Sequence, residues 1–152
     1  MSHSLVKVFV HYVWTTKNRE RVLVGDARRA VGMHIRENAM EKKICIEEAD
    51  VQPEHVHTLV RLASDQQIEE VVKLIKGESS YWINQHEVLP GKFAWQTGYA
   101  AFSADYARLE PLREYIRNQD EHHKRRTCVE EVGEFLREAG YTESEIAEIL
   151  RT

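Results

Sequence analysis

Hydrophobic and polar positions along the chain switch between two periods, and each switch marks an element. Residues 5–14 (LVKVFVHYVW) are rich in β-branched and aromatic side chains, and their strict alternation puts Val6, Val8, Val10, Tyr12 and Trp14 on one face, predicting a strand. A polar, basic stretch over 15–25 reads as a loop. Asp26 is placed to cap a helix in which Ala27, Ala30, Val31, His34, Ile35 and Ala39 recur every three or four positions, with Lys42 and Lys43 at its electronegative end. Residues 44–51 and 55–62 are two further strands. Only Gln52, Pro53 and Glu54 separate them, so they form an antiparallel hairpin with Pro53 in the turn, where its missing N–H costs no ladder bond. From 66 to about 85, Ile68, Val71, Val72, Ile75, Ser79, Trp82 and Ile83 form a stripe of helical period. Leu89, Pro90 and Gly91 punctuate the chain, and 99–103 is a short aromatic strand. Pro111 suits the first turn of a helix running through Tyr115 and Gln119 to about residue 125. Two short helices follow, 129–139 stopped by Gly140 and another opened by a capping box of Thr142 with Glu145.

Strand, helix, strand, strand, helix, strand, helix is the order of an α+β fold, the ferredoxin-like βαββαβ sandwich. It has an antiparallel sheet with helices on one face, here extended by C-terminal helices. A chain of 152 residues, 42% apolar and 30% charged, is long enough for one compact core and too apolar for a disordered segment. No apolar run approaches the ~18 residues of a membrane span, and no leader opens the chain, so the expectation is a cytoplasmic protein without membrane contact. Cys45 and Cys128 share no disulfide or zinc spacing and are expected as reduced core thiols. No GxxxxGK[ST] loop exists, 76–80 (KGESS) being too loose to be one, which argues against a nucleotide cofactor.

A net charge of −4 disfavours a nucleic-acid partner only if it is evenly spread. It is not. Residues 128–152 hold seven Glu against Arg137 and Arg151, a net −5, which leaves +1 on residues 1–127.

Four clusters carry candidate chemistry. His55 and His57 lie two apart in a strand, so both imidazoles project from one face while Val56, Thr58, Val60 and Leu62 take the other. The pair is a pre-aligned ligand set or a patch of solvated surface. Tyr115 and Gln119 lie one helical turn apart, with His122 next on the stripe, which is either a reactive face or an ordinary solvent face. His122, His123, Lys124, Arg125 and Arg126, with Arg117 a turn earlier, are either cations at a helix C-terminus or a phosphate-contacting patch. Phe93, Trp95, Tyr99 and Phe102 could stack on unpaired bases, but aromatics beside a strand more often fill a core.

Five blocks, 10–16 (VHYVWTT), 53–59 (PEHVHTL), 76–80 (KGESS), 95–103 (WQTGYAAFS) and 115–123 (YIRNQDEHH), together resemble the single-tyrosine HUH transposases of small insertion sequences. They resemble equally the relatives of those enzymes associated with repetitive extragenic palindromes. The resemblance runs to about Gly140. It implies that His55 and His57 bind a divalent metal, Mg(II) or Mn(II), that Tyr115 is the nucleophile, and that Gln119 is the third ligand. It further implies a homodimer with active sites shared between subunits, for which Phe9, His11 and Val13 of the first strand could supply the pairing edge. Its substrate would be single-stranded DNA with hairpin ends, contacted at phosphates by Arg117, His122, His123, Lys124, Arg125 and Arg126. The enzymatic domain would span 1–127, with 128–152 an acidic tail packed on it. The competing expectation is a domesticated protein that binds DNA hairpins without transposing.

Overall fold

The computed structural model describes residues 1–151. Its elements are β1 (Val8–Thr15), α1 (Gly25–Glu41), β2 (Cys45–Val51), β3 (His55–Leu62), α2 (Ile68–Gln85), β4 (Ala100–Ala104), α3 (Leu109–Arg117), α4 (Gln119–His122), α5 (Cys128–Glu138) and α6 (Glu143–Arg151). Two compact units are distinguished, 1–117 and the chain from Asn118 on. No helix is long and apolar enough to cross a membrane among the described residues.

In the first unit the four strands form one antiparallel sheet in the order β2-β3-β1-β4. One face is hydrocarbon. Val10, Tyr12 and Trp14 of β1 and Val56 and Val60 of β3 meet Val31, Ile35 and Ala39 of α1 and Val71, Val72, Ile75 and Ile83 of α2. Each fully buried Val, Leu or Ile there is worth roughly 1.5–3 kcal/mol, which is why the three-and-four spacing of the helices is so regular. The opposite face is covered by α3, whose Leu109 and Ile116 close over Phe9 and Leu59. Strand β1 therefore has almost no exposed side chain after Val8.

Several expectations are corrected. β1 is paired on both sides, with β3 and β4, so it has no edge to offer a second subunit; the free edges belong to β2 and β4. Val24, not Asp26, is the N-cap of α1, and Asp26 lies inside its first turn. Cys45 is exposed, since it opens the edge strand β2, whereas Cys128 is buried; both are free. The helix expected to run unbroken from Pro111 to about residue 125 ends at Arg117, because Asn118 leaves helical geometry at φ −97°, ψ 27°. The four-residue spacing of Tyr115 and Gln119 is thus not a continuous helical turn.

In the second unit Thr127 and Glu130 form a capping box that starts α5. Thr142 and Glu145 form the expected second box, with paired bonds of 3.1 and 3.2 Å that satisfy donors the first turn of α6 would leave open. Gly140, at φ +97°, makes the turn between these helices. At Gly133 the two helices are in contact: a Cβ there would sit 3.5 Å from Leu150, an ordinary van der Waals distance.

Candidate active site

The strand register builds the site before any side chain is considered. β3 places His55, His57 and Leu59 on the face that α3 covers, opposite Thr15, Val13 and His11 of β1. Both imidazoles are fully buried, at 0% exposure, so the solvated-surface reading of the pair is excluded. Their rings lie 5.0 Å apart, near perpendicular, and a ring nitrogen of each lies within 4.8 Å of the other, close to the span a single cation bridges.

Each imidazole has a partner for its Nδ1. That of His55 lies 2.7 Å from Glu54 Oε1, and the second carboxylate oxygen of Glu54 accepts from Arg21. That of His57 lies 2.8 Å from Nε2 of His11, whose ring stacks on it at 5.1 Å between centroids, tilted by 22°. Two buried imidazoles with oriented second nitrogens are a donor set that suits a divalent transition ion, or a harder ion aided by oxygen ligands.

Tyr115 reaches the same face from α3, its ring 6.4 Å from that of His57 in an edge arrangement. Two ion pairs hold α3 on the sheet. Arg113 donates to Glu47 at 3.0 Å and Arg117 to Glu48 at 2.9 Å. Neighbouring strand residues normally point to opposite faces; here the register of β2 slips between Ile46 and Glu48, and that bulge lets consecutive carboxylates serve one helix.

The other expected site residues, Arg117 apart, belong to the second unit. Gln119 Oε1 accepts from His123 Nε2 at 2.9 Å, and the same nitrogen lies 3.4 Å from a Glu131 carboxylate oxygen. The basic cluster is largely engaged internally: Lys124 pairs with Glu121 at 2.9 Å and Arg126 with Glu134, while Arg117, in the first unit, is held by Glu48. Hydrogen bonding to Glu121 holds the Lys124 ammonium above the usual lysine range. His122 accepts the backbone N–H groups of Arg125 and Arg126 on its carbonyl, each at 3.0 Å, closing α4.

Residues 4–119 match the family described as IS200-like transposases. The chain belongs to that family. With the family comes a DNA transposase, a DNA-processing enzyme. Among curated relatives, the ISDra2 transposase TnpA of Deinococcus radiodurans is 27% identical over 114 residues, covering 72% of this chain and 81% of that one. The transposase of insertion sequence IS200 from Salmonella typhimurium is 26% identical over 129 residues, covering 82% and 84%. A crystal structure from Deinococcus radiodurans R1, assigned as a transposase, superposes with a TM-score of 0.63 at 25% identity over 78% of this chain and 95% of that one. A REP-associated tyrosine transposase bound to a REP hairpin shares the fold, with a TM-score of 0.60 at 16% identity over 81% and 72%.

Within this transposase the remaining matched blocks brace the fold. Lys76 Nζ donates to the carbonyls of Gln96, at 2.9 Å, and Gly98, and burial lowers its pKa from the ordinary lysine value. Ser79 accepts from Trp95 Nε1 at 3.0 Å, and Trp95 packs edge-on against Phe93 and Trp14. Phe93 and Trp95 are core residues, as expected of aromatics beside a strand, and not an open stacking platform. Sequence reasoning missed His11, Glu54 and Arg21 as site residues. The only signal was local for Glu54, adjacent to His55; His11 is 46 positions from its partner.

Proposed function

We propose that the protein cleaves and rejoins single-stranded DNA at insertion-sequence ends, with Tyr115 as nucleophile and His55, His57 and Gln119 as holders of Mg(II) or Mn(II). The observation that carries this is the fully buried histidine pair on the sheet face that Tyr115 also occupies, 6.4 Å from His57. A phenol with an ordinary pKa near 10 is mostly protonated at neutral pH and needs activation before it can attack. A divalent ion held by these donors would supply Lewis acidity to the scissile phosphate and stabilise the developing charge. The tyrosine oxygen forms a bond to phosphorus as the bond to the departing 3′-oxygen breaks. This yields a 5′-phosphotyrosine and a free 3′-hydroxyl, and attack by such a hydroxyl on the ester rejoins a strand without ATP. Two imidazoles and an amide are neutral donors, so affinity for a hard ion is expected to stay weak until the DNA phosphate adds an oxygen.

An open groove of about 860 Å³, lined by Lys17, Arg21, Lys92, Val22, Leu89 and Pro90, supports an unpaired strand as substrate. It offers cations for phosphates beside apolar walls for bases, and it begins at Arg21, the ion-pair partner of Glu54. Hairpin ends would supply the shape that such a small protein can recognise. Sharing of the active sites in a homodimer belongs to the same reading, with pairing through the edge of β2 or β4. A cytoplasmic location, with access to chromosomal DNA, belongs to the same reading.

The test is incubation with single-stranded DNA carrying candidate element ends and Mg(II) or Mn(II), followed by denaturing electrophoresis. A covalent adduct is expected, and Tyr115→Phe should remove it completely. Persistence of the adduct in that variant would reject the nucleophile assignment; hairpin binding with no adduct on any end would support the domesticated binding protein instead.

A further inference from the structure

We infer that Glu54 and His11 are positioning residues that fix the tautomers of the two ligand histidines, holding the proton on Nδ1 of both His55 and His57 so that Nε2 carries the electron pair. The inference rests on the metal-centre reading for its purpose, but its content is a proton position in the chain itself. A neutral imidazole carries one N–H, and only the other nitrogen can bind a cation. Which nitrogen is which is set by the hydrogen bond that the ring makes.

For His55 the geometry leaves one choice. Glu54 is ion-paired with Arg21, and an ion-paired carboxylate only accepts, so the 2.7 Å contact from Glu54 Oε1 assigns the proton to His55 Nδ1. Arg21 donates to the other oxygen of the same carboxylate, which holds the first oxygen turned toward the ring. Glu54 is itself 6% exposed, so water competes little for these lone pairs.

For His57 the 2.8 Å contact joins two ring nitrogens, and either could donate. Donation by His11 Nε2 would put the proton of His57 on Nε2 and disable it as a ligand. Donation by His57 Nδ1 leaves its Nε2 available and requires His11 to carry its own proton on Nδ1. Packing alone does not account for His11. The side chain is 1% exposed in the middle of β1, on a face otherwise apolar at Phe9 and Val13, where an aliphatic residue would pack without desolvation cost. A strand position that accepts the expense of a buried imidazole next to a ligand is explained by what that imidazole accepts.

The experiment reads the protons directly. Two-bond proton–nitrogen correlation spectra of the full-length ¹⁵N-labelled protein without metal should show the Nδ1–H tautomer at both His55 and His57. An Nε2–H tautomer, or a doubly protonated ring, at either position would overturn the assignment for that residue. His11→Phe should release His57, and Glu54→Leu should release His55, toward mixed tautomers. His11→Gln and Glu54→Gln, whose amide oxygens can still accept, should restore the Nδ1–H form; equal scrambling in the apolar and the glutamine variants would reduce both residues to packing. In parallel, Mn(II) titration followed by electron paramagnetic resonance, with an uncleaved single-stranded oligonucleotide present, should show affinity falling about 10–100-fold in the apolar variants and recovering in the glutamine ones. Correct tautomers in a wild-type protein that binds no Mn(II) would instead sink the metal-centre reading and leave the positioning result standing.

Discussion

The two faces of the central strands β1 and β3 are buried to the same degree and built from opposite chemistry. Trp14, Tyr12, Val56 and Val60 look toward α1 and α2; His11, His55, His57 and Leu59 look toward α3, and all of them are at most 4% exposed. On the first face stability comes from hydrocarbon packing, and a polar group there is a defect. On the second, imidazoles replace hydrocarbon, and water is replaced by a short chain of hydrogen bonds from His57 to His11 and from His55 through Glu54 to Arg21. A strand period of two makes this possible, because the same eight residues can supply a core to one layer and a reactive site to the other without either constraining its neighbours. What differs is the consequence of change: the first face should respond in stability and the second in chemistry.

The largest effects test that division directly. Trp14→Ala removes an indole packed edge-on against Trp95 in the core and should cost about 3–5 kcal/mol in urea unfolding. The double variant His11→Phe with His57→Leu removes both ends of one buried hydrogen bond together, so neither is left stranded by the other. It should cost less than about 2 kcal/mol yet abolish adduct formation. A double variant as unstable as Trp14→Ala would mean that the imidazoles are structural first, and the contrast between the faces would collapse.

A smaller effect of opposite sign is expected at Thr58. It lies on the hydrocarbon face between Val56 and Val60, fully buried, and its hydroxyl has no hydrogen-bond partner among the described residues. Thr58→Val keeps the shape and removes a desolvated hydroxyl, so it should stabilise the protein by about 1–2 kcal/mol with cleavage unchanged. Loss of stability would show that the hydroxyl is satisfied after all, and that this face tolerates polar groups as the other does.

How much of this was legible in the sequence follows the same line. The alternation in 55–62 placed the histidines and Val56, Thr58 and Val60 on their correct opposite faces, and the helical spacing of α1 and α2 identified the layer that covers the latter. Burial of the histidines was not legible, because alternation says which residues share a face and not what lies over it; that needed α3, which is amphipathic but short. The break at Asn118 was hidden because nothing in 115–123 is a strong helix breaker. The ion pairs of the basic residues were not legible, because carboxylate partners such as Glu48 for Arg117 and Glu134 for Arg126 are brought close only by the fold. The edge role expected of β1, an analogy carried by the family resemblance, fails because the sheet order places that strand between two others.

The finest distinction between the faces is at Tyr12, the one phenol of the hydrocarbon layer. Its hydroxyl donates to the carbonyl of Ile68 at 2.8 Å, and burial, with a lesser contribution from the charge of nearby Tyr99, pushes its pKa up to about 12. A group whose pKa is raised in the folded state contributes stability that is complete below its unfolded value, near 10, and is lost as pH climbs through the folded one. Below pH 10 Tyr12→Phe should therefore be less stable than wild type by about 1 kcal/mol, the worth of one hydrogen bond. Between pH 10 and 12 the wild type alone carries this penalty, about 1.4 kcal/mol per pH unit, so the gap should close near pH 11 and then invert. The difference between the two proteins cancels every other alkaline titration. A gap that stays constant to pH 12 would mean that Tyr12 ionises as easily folded as unfolded, and that this layer is wetter than its packing implies.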